Sequence, residues 1–350
     1  PRDGVSIELP ATRHDARRIR RDRGHPTGGS GRRPVGFPIG TVRSMARDTP
    51  PQHPAPDRTL TPSQARTLDA LRRTAEPVVF DPDFVATLVG DVTETVRDFE
   101  AQLDGEELYV SKHRLAEVLE CETHYLVARD FEWSVTTAAG SLAHRAIELL
   151  IWWRGEPVPA ELVDEAMARL IEEERGLGGW LATLGDADRA DLRARATERV
   201  TRFMEHFPPL SPRFRPVTEA RLRWPLDGKI VLAGRVDLAF GSPAGNESRK
   251  VIVDLKTGQP NARHRQDLAF YALVETLISR VPPRKVATFY LDAADAHAED
   301  VGEHMLRSAA RRTLDGIHTM LELQLDARPP TTRPGVTCRW CPLAGECEDG

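Results

Sequence analysis

Two apolar stretches joined by turn chemistry constrain this chain more than any other feature. Ile230–Phe240 and Lys250–Leu255 are rich in Val, Ile and Leu, and the link between them reads Gly-Ser-Pro-Ala-Gly-Asn-Glu-Ser. Branched side chains stiffen the backbone and suit a pleated, covered surface. The link supplies the residues that reverse a chain. The pattern predicts two buried strands in a hairpin. Asp254 and Lys256 stand two residues apart in the second strand, so both side chains lie on one face. A charge buried without a partner is expensive, so a covered strand that spends two positions this way has a use for them. Asp237 stands near the end of the first strand, seventeen residues before Asp254, and the hairpin brings the two together. Two carboxylates and an ammonium on adjacent strands suit a divalent cation held beside a phosphate.

Bulk properties narrow the setting. With 350 residues, 40% of them apolar and 29% charged, the chain has the composition of a soluble protein with a real core. It has no apolar run of about 18 residues, the length of a membrane span. The N-terminus is Arg-rich without the apolar region of a secretory signal, so a cytoplasmic location is expected. Net charge is −5, yet the first 47 residues carry 11 Arg and four acids, +7, which leaves −5 − 7 = −12 for the rest. That balance argues against indiscriminate adhesion to nucleic acid, although a bound metal supplies its own local positive charge.

Residues 1–57 are rich in Arg, Pro and Gly without apolar periodicity and are expected to be disordered. The first methionine is Met45, so the leading 44 residues read as sequence upstream of the working protein; a basic arm that touches nucleic acid is the functional alternative. Residues 58–350 are expected to form one domain. A helix should start at Thr61-Pro62-Ser63, and another after Ser111, ending at Cys121. Thr136–Gly140 reads as a turn before a helix over 141–151, which places His144 near that helix's N-terminus. Residues 157–206 read as two charged helices around Gly176, a helical insertion. Val217–Trp224 alternates as a strand and carries Glu219. A helix over 264–280 with Gln266 and Tyr271, a strand over 285–291 and a long helix from about Glu299 to Leu325 complete the order. Helix, three-stranded meander, helix and strand give a mixed α/β core with helices on both faces. Cys121, Cys338, Cys341 and Cys347 are the four cysteines. In a chain of this kind their spacing favours a metal site, iron–sulfur or zinc, over disulfides.

His144 on a helix, Gly234-Arg235-Val236-Asp237, Val253-Asp254-Leu255-Lys256-Thr257-Gly258 and the helix with Gln266 and Tyr271 occur in an order that resembles the PD-(D/E)XK nuclease superfamily, with its restriction-endonuclease-like core. One cysteine before the core and Cys-x2-Cys-x5-Cys after it resembles the iron–sulfur type of RecB-like nuclease domain, which includes the CRISPR-associated RecB-like exonucleases and the AddB nuclease domain. The resemblance covers about residues 109–350. It implies a metal-dependent deoxyribonuclease, an exonuclease on single-stranded DNA ends in repair or recombination, with a helicase or other repair protein as partner and no membrane. An inactive or partner-dependent DNA-binding scaffold on the same fold is the alternative reading.

Carried onto these residues, the resemblance implies that Asp237, Asp254, the Leu255 carbonyl and His144 hold Mg²⁺ or Mn²⁺. Lys256 would hold the attacking water or a phosphate oxygen, and Gln266 and Tyr271 would orient the lysine or the DNA backbone. Glu219 would be an acid behind the ligands. The four cysteines would hold a 4Fe–4S cluster, with Zn²⁺ as the alternative, shielded by Trp340 and Pro342. Two positions depart from the pattern: Glu122 follows the leading cysteine where Pro is frequent, and Asp267 stands four residues before Tyr271 where Gln is frequent.

Overall fold

The computed structural model describes residues 60–348 apart from 73–75, 106 and 128–131; the Arg-rich stretch 1–57, expected to be disordered, lies outside the described residues. The first helix, α1 (Pro62–Leu71), begins where the sequence predicts, with Thr61 and Gln64 exchanging hydrogen bonds as a capping box. The two-residue strand β1 (Val78–Val79) and the long helix α2 (Pro82–Glu100) follow. Strand β2 (Leu108–Val110) is too short to show a period of two and was not legible. Ser111 then caps α3 (Lys112–Glu120) through the Arg114 N–H, and Cys121 joins α3 to α4 (Glu122–Leu126).

Helix α5 (Val135–Leu149) corrects the turn predicted over Thr136–Gly140. Ser134 and Thr137 form a capping box upstream, so the helix starts at Val135 and His144 lies well inside it. The insertion over 157–206 contains three helices, α6 (Pro159–Glu172), α7 (Leu177–Thr183) and α8 (Asp186–His206), one more than the sequence suggested. The extra helix packs so closely on α6 that a Cβ at Gly178 would stand 1.7 Å from the Leu170 carbonyl oxygen.

The sheet begins with β3 (Val217–Trp224) and β4 (Ile230–Phe240), both as predicted, after which the small strand β5 (Glu247–Ser248) leaves to pair with β1. Strand β6 (Val251–Lys256), helix α9 (Ala262–Ser279), strands β7 (Lys285–Tyr290) and β8 (Asp295–Asp300) and helix α10 (Glu303–Gln324) complete the order. Strand β8 corrects the long helix predicted from Glu299: that residue belongs to the strand, and the helix starts after Gly302. With Ala296 and Ala298 as its only apolar residues, β8 gives little hydrophobic signal.

Strands β3, β4 and β6 form the antiparallel meander, α9 crosses over, and β7 returns parallel to β6. One face of the sheet packs on α2, α3, α9 and α10, the other on α5 to α8. This is the mixed α/β core expected from the order of elements. Strand β4 positions the site. On one edge it pairs with β3 over Leu232–Ala239; the other edge is shared, β2 taking residues 230–232 and β6 taking 238–240. Between them the ladder opens. No helix among the described residues is long and apolar enough to cross a membrane.

Candidate active site

The opening in the ladder leaves backbone groups that must find other partners. Pairing of β4 with β6 stops at Leu238 and Val253, so the Leu255 N–H has no opposing carbonyl on β4. The Asp237 carboxylate accepts it instead, Oδ2 at 2.7 Å. By the alternation of the strand the Leu255 carbonyl faces the same side, toward β4. In the gap, the Arg235 carbonyl accepts a hydrogen bond from the Tyr271 hydroxyl of α9 at 2.7 Å. Gly234 admits that ring, since a Cβ there would meet Tyr271 Cε1 at 2.6 Å. Helix α3 enters the gap directly after β2 and carries Lys112 in at its first position.

The result is a compact set of charges. Lys112 Nζ donates to Asp254 Oδ1 at 2.9 Å and stands 3.7 Å from Asp267, with its ammonium over the Tyr271 ring. Lys256 Nζ lies 2.9 Å from the other Asp254 oxygen and 3.3 Å from Asp267. The first of those contacts is an ion pair without an aligned hydrogen bond, so Asp254 Oδ2 is buried with no hydrogen-bond partner. Opposite, His144 Nδ1 is 3.5 Å from Asp237 Oδ1. Helix α5 reaches this end of the sheet by passing Thr257 at Gly140, one turn before His144. Glu219 lies across β3–β4 from Asp237 in register, with a left-handed φ of 51° inside a strand, and its carboxylate pairs with Arg235.

The electrostatics follow from this crowding. Burial alone would raise the Asp237 pKa, but His144, the Leu255 N–H and Lys112 together hold it below the usual range. Burial opposes charge on His144, and Asp237, Asp254 and Glu219 overcome it, so its pKa is raised. Lys112 is raised in the same way, Asp254 and Asp267 outweighing its desolvation. For Glu219 burial dominates over the Arg235 charge, and with Asp237 and Glu148 nearby its pKa is raised. Burial is also the first cause that raises the Tyr271 hydroxyl, so it stays a donor. Asp237, Asp254, Asp267 and Glu219 thus stand among Lys112, Lys256, Arg235 and an imidazole that its surroundings push toward the charged form.

The structure thus brings together His144, Asp237, Asp254, Leu255, Lys256 and Tyr271, with Glu219 behind Asp237. It does not bring Gln266 to Lys256. That residue is exposed one step along α9, and Asp267 occupies the place that faces both lysines. Tyr271 is 2% exposed and holds the Arg235 carbonyl, so it braces α9 on β4 and does not reach outward to a nucleic-acid backbone. Lys112 was missed altogether. The signal was there: an ammonium at the first position of a helix opposes the dipole, which favours acids in that turn.

The cysteines lie apart from this cluster. All four are free thiols; Cys121 is buried, Cys341 Sγ is 3.2 Å from His124 Nδ1, and Cys338 Sγ accepts the Gly335 N–H at 3.3 Å. The C-terminal segment returns to α4 through Glu122, which is 3% exposed and accepts from Arg328 and from the Thr331 N–H. Trp340 is 59% exposed and Pro342 is exposed, so neither is the shield expected of it. Among the described residues, no group of three or more His, Cys, Asp or Glu stands close enough together to grip a metal ion.

A family model for the PD-(D/E)XK nuclease superfamily matches residues 109–348, and the chain belongs to that superfamily. Its members are nucleases that generally use Mg²⁺ or Mn²⁺. No curated protein matches the sequence. Among solved structures, a candidate exonuclease from Eubacterium rectale is similar at 14% identity and a TM-score of 0.43, over 68% of this chain and 87% of that one. The protein SSO0001 is similar at 16% identity and a TM-score of 0.27, over 63% of this chain and 98% of that one.

Proposed function

We propose that the chain is a metal-dependent deoxyribonuclease whose reaction centre is Asp237, Asp254 and Lys256. The observation that carries this reading is the buried Asp254 carboxylate, whose Oδ2 faces the Lys256 ammonium but makes no hydrogen bond, set beside Asp237 in the gap of the ladder. Hard oxygen donors of this kind fit Mg²⁺ or Mn²⁺, with the Leu255 carbonyl and the His144 imidazole as further donors. When bound, the ion lowers the pKa of water and stabilises charge on the phosphate. Lys256 holds the phosphate oxygen or the incoming water, and Lys112 supplies a second positive charge against Asp254. Asp267 keeps both ammonium groups in place. Glu219 backs Asp237 from the neighbouring strand.

The narrower reading, an exonuclease that trims single-stranded ends in repair or recombination beside a helicase-type partner, rests on the resemblance of the cysteine layout. That reading asks Cys121, Cys338, Cys341 and Cys347 to come together on a 4Fe–4S cluster, for which thiolate is the fitting ligand chemistry. Held by Cys121 and the three C-terminal cysteines, the cluster would staple the chain and take no part in hydrolysis. A brown anaerobic preparation with stoichiometric iron supports the cluster, and colourless protein with one zinc decides for the zinc site.

End-labelled single-stranded DNA incubated with Mn²⁺ or Mg²⁺ tests the activity. Cleavage by wild type that is lost in Asp254→Asn and Lys256→Ala is expected. Binding without cleavage under either metal sinks the enzyme reading and leaves the scaffold. End-blocked substrates separate exonuclease from endonuclease.

A further inference from the structure

Helices α3, α9 and α10 enclose a cavity of about 320 Å³ that the reaction centre does not use. It begins at the charge cluster, because Lys112 and Asp267 belong to its wall as well as to the contacts of Asp254 and Lys256. Its floor is apolar, with Phe270 and Met305, and it stays open because Ala116, Ala269 and Ala309 stand where larger side chains would fill it. A chamber at the small end of the ligand-pocket range, about 300–1,000 Å³, with an apolar floor and polar walls that include Lys112, Gln266, Asp267, His304 and Arg312, suits a small flat ligand with polar edges.

The polar groups give that ligand a charge. Arg312 lines the cavity half-buried and, among the described residues, makes no ion pair. Its neighbours Arg263 and Arg265 are engaged by Glu120 and Glu299, and Glu120 and Asp267 act on Arg312 only through space. A half-buried guanidinium without a partner is costly, and its fork of donors matches a phosphate. On the same wall lies Gln266, the helix residue that fails to reach Lys256, where its amide can meet the edge of a base.

We infer that this cavity receives one unpaired nucleobase of the substrate strand, next to the phosphate held by Lys256, while Arg312 takes the adjoining phosphate. The inference rests on the nuclease reading and names its substrate class. Three helices bound a space for one base and none for a base pair, so the base that enters is unpaired, as it is at no cost in a single strand.

Two variants test it in equilibrium binding without added Mg²⁺ or Mn²⁺, so that failure of binding and failure of hydrolysis are read separately. Fluorescein-labelled oligodeoxythymidylate and a blunt hairpin duplex are titrated over a salt series, and thermal unfolding by circular dichroism reports the fold. Ala309→Phe fills the cavity and is expected to weaken the single strand about tenfold, the scale of one lost base contact, and the duplex less. Arg312→Gln is expected to lower the salt slope for the single strand by about 0.7, one phosphate contact. Wild-type affinity and slope in Arg312→Gln, or equal losses on both substrates in Ala309→Phe, overturn the inference. Should Ala309→Phe fail to fold, Arg312→Gln decides alone. Selective loss of single-strand binding in a protein that cleaves nothing would uphold the subsite and refute the enzyme.

Discussion

Asp254 is 1% exposed and lies between two ammonium groups, so each lysine both supports the fold and prepares the site. Lys112→Ala leaves a buried carboxylate with half its compensation. Breaking a buried pair from one side costs about 3–5 kcal/mol, which urea unfolding would show. Cleavage should fall about 100-fold, the typical loss when one preorganised charge is removed. Tyr271→Phe makes a cleaner probe. It strands the Arg235 carbonyl in the gap of β4, at about 1–3 kcal/mol, while metal dependence and substrate preference stay as in wild type. At this scale the sequence revealed side chains that sit on strands, because a period of two fixes their face: Asp237, Asp254 and Lys256 are legible from spacing alone. Helix residues are harder, since a face there depends on the exact start. Gln266 and Asp267 differ by one position, about a hundred degrees around α9, and only packing decides which meets the lysines.

Among elements, the turn after β6 is held by a long-range contact that no local pattern announces. Asp292, just beyond β7, accepts from Arg199 of α8 at 2.7 Å and from the Gly258 N–H at 2.7 Å. One carboxylate thereby ties the helical insertion to the end of the strand that carries Lys256. Burial would raise its pKa, but Arg199 and the Gly258 N–H outweigh burial and depress it. A depressed folded pKa contributes stability above the unfolded value, about 3.9, that is lost as pH falls through the folded one. Wild type should therefore be more stable than Asp292→Asn at neutral pH, and the two melting curves should converge in acid. Persistence of the gap at low pH would refute the pairing. The start of α5 and the strand β8 were misread for local reasons. A Ser-Thr capping box lay upstream of a run that looked like a turn, and β8 owes its strand conformation to the β7 edge and little to its own residues.

For the whole molecule, the question is how far the C-terminal segment belongs to the fold. Glu122 receives Arg328 and Thr331, Thr123 meets Thr332, and Arg333 donates to the Leu119 carbonyl. Glu122→Ala should cost about 2 kcal/mol, the scale of charge-assisted hydrogen bonds lost from a buried acceptor. It should also make residues 326–348 the first site of limited proteolysis. Resistance equal to wild type would show that the segment is held by other contacts. The general architecture was readable from the order of helix, meander, helix and strand, because each step carried its own periodicity. The return of the chain onto α4 was not, since Glu122 and Arg328 are 206 positions apart and no pattern in either stretch points to the other.

That return has a consequence for synthesis. Cys121 is made some 220 residues before Cys341, which at about 5–20 residues per second is a wait of roughly 10–45 s. Through that interval the sheet can form and the lysines can find their aspartates, while the thiol of Cys121 stays exposed to oxidants and to stray copper or zinc. A nascent chain of this kind can assemble the charge cluster on β4 and β6 before Arg328 and Thr331 reach Glu122, so the order of events on the ribosome sets how long α4 waits for the segment that covers it.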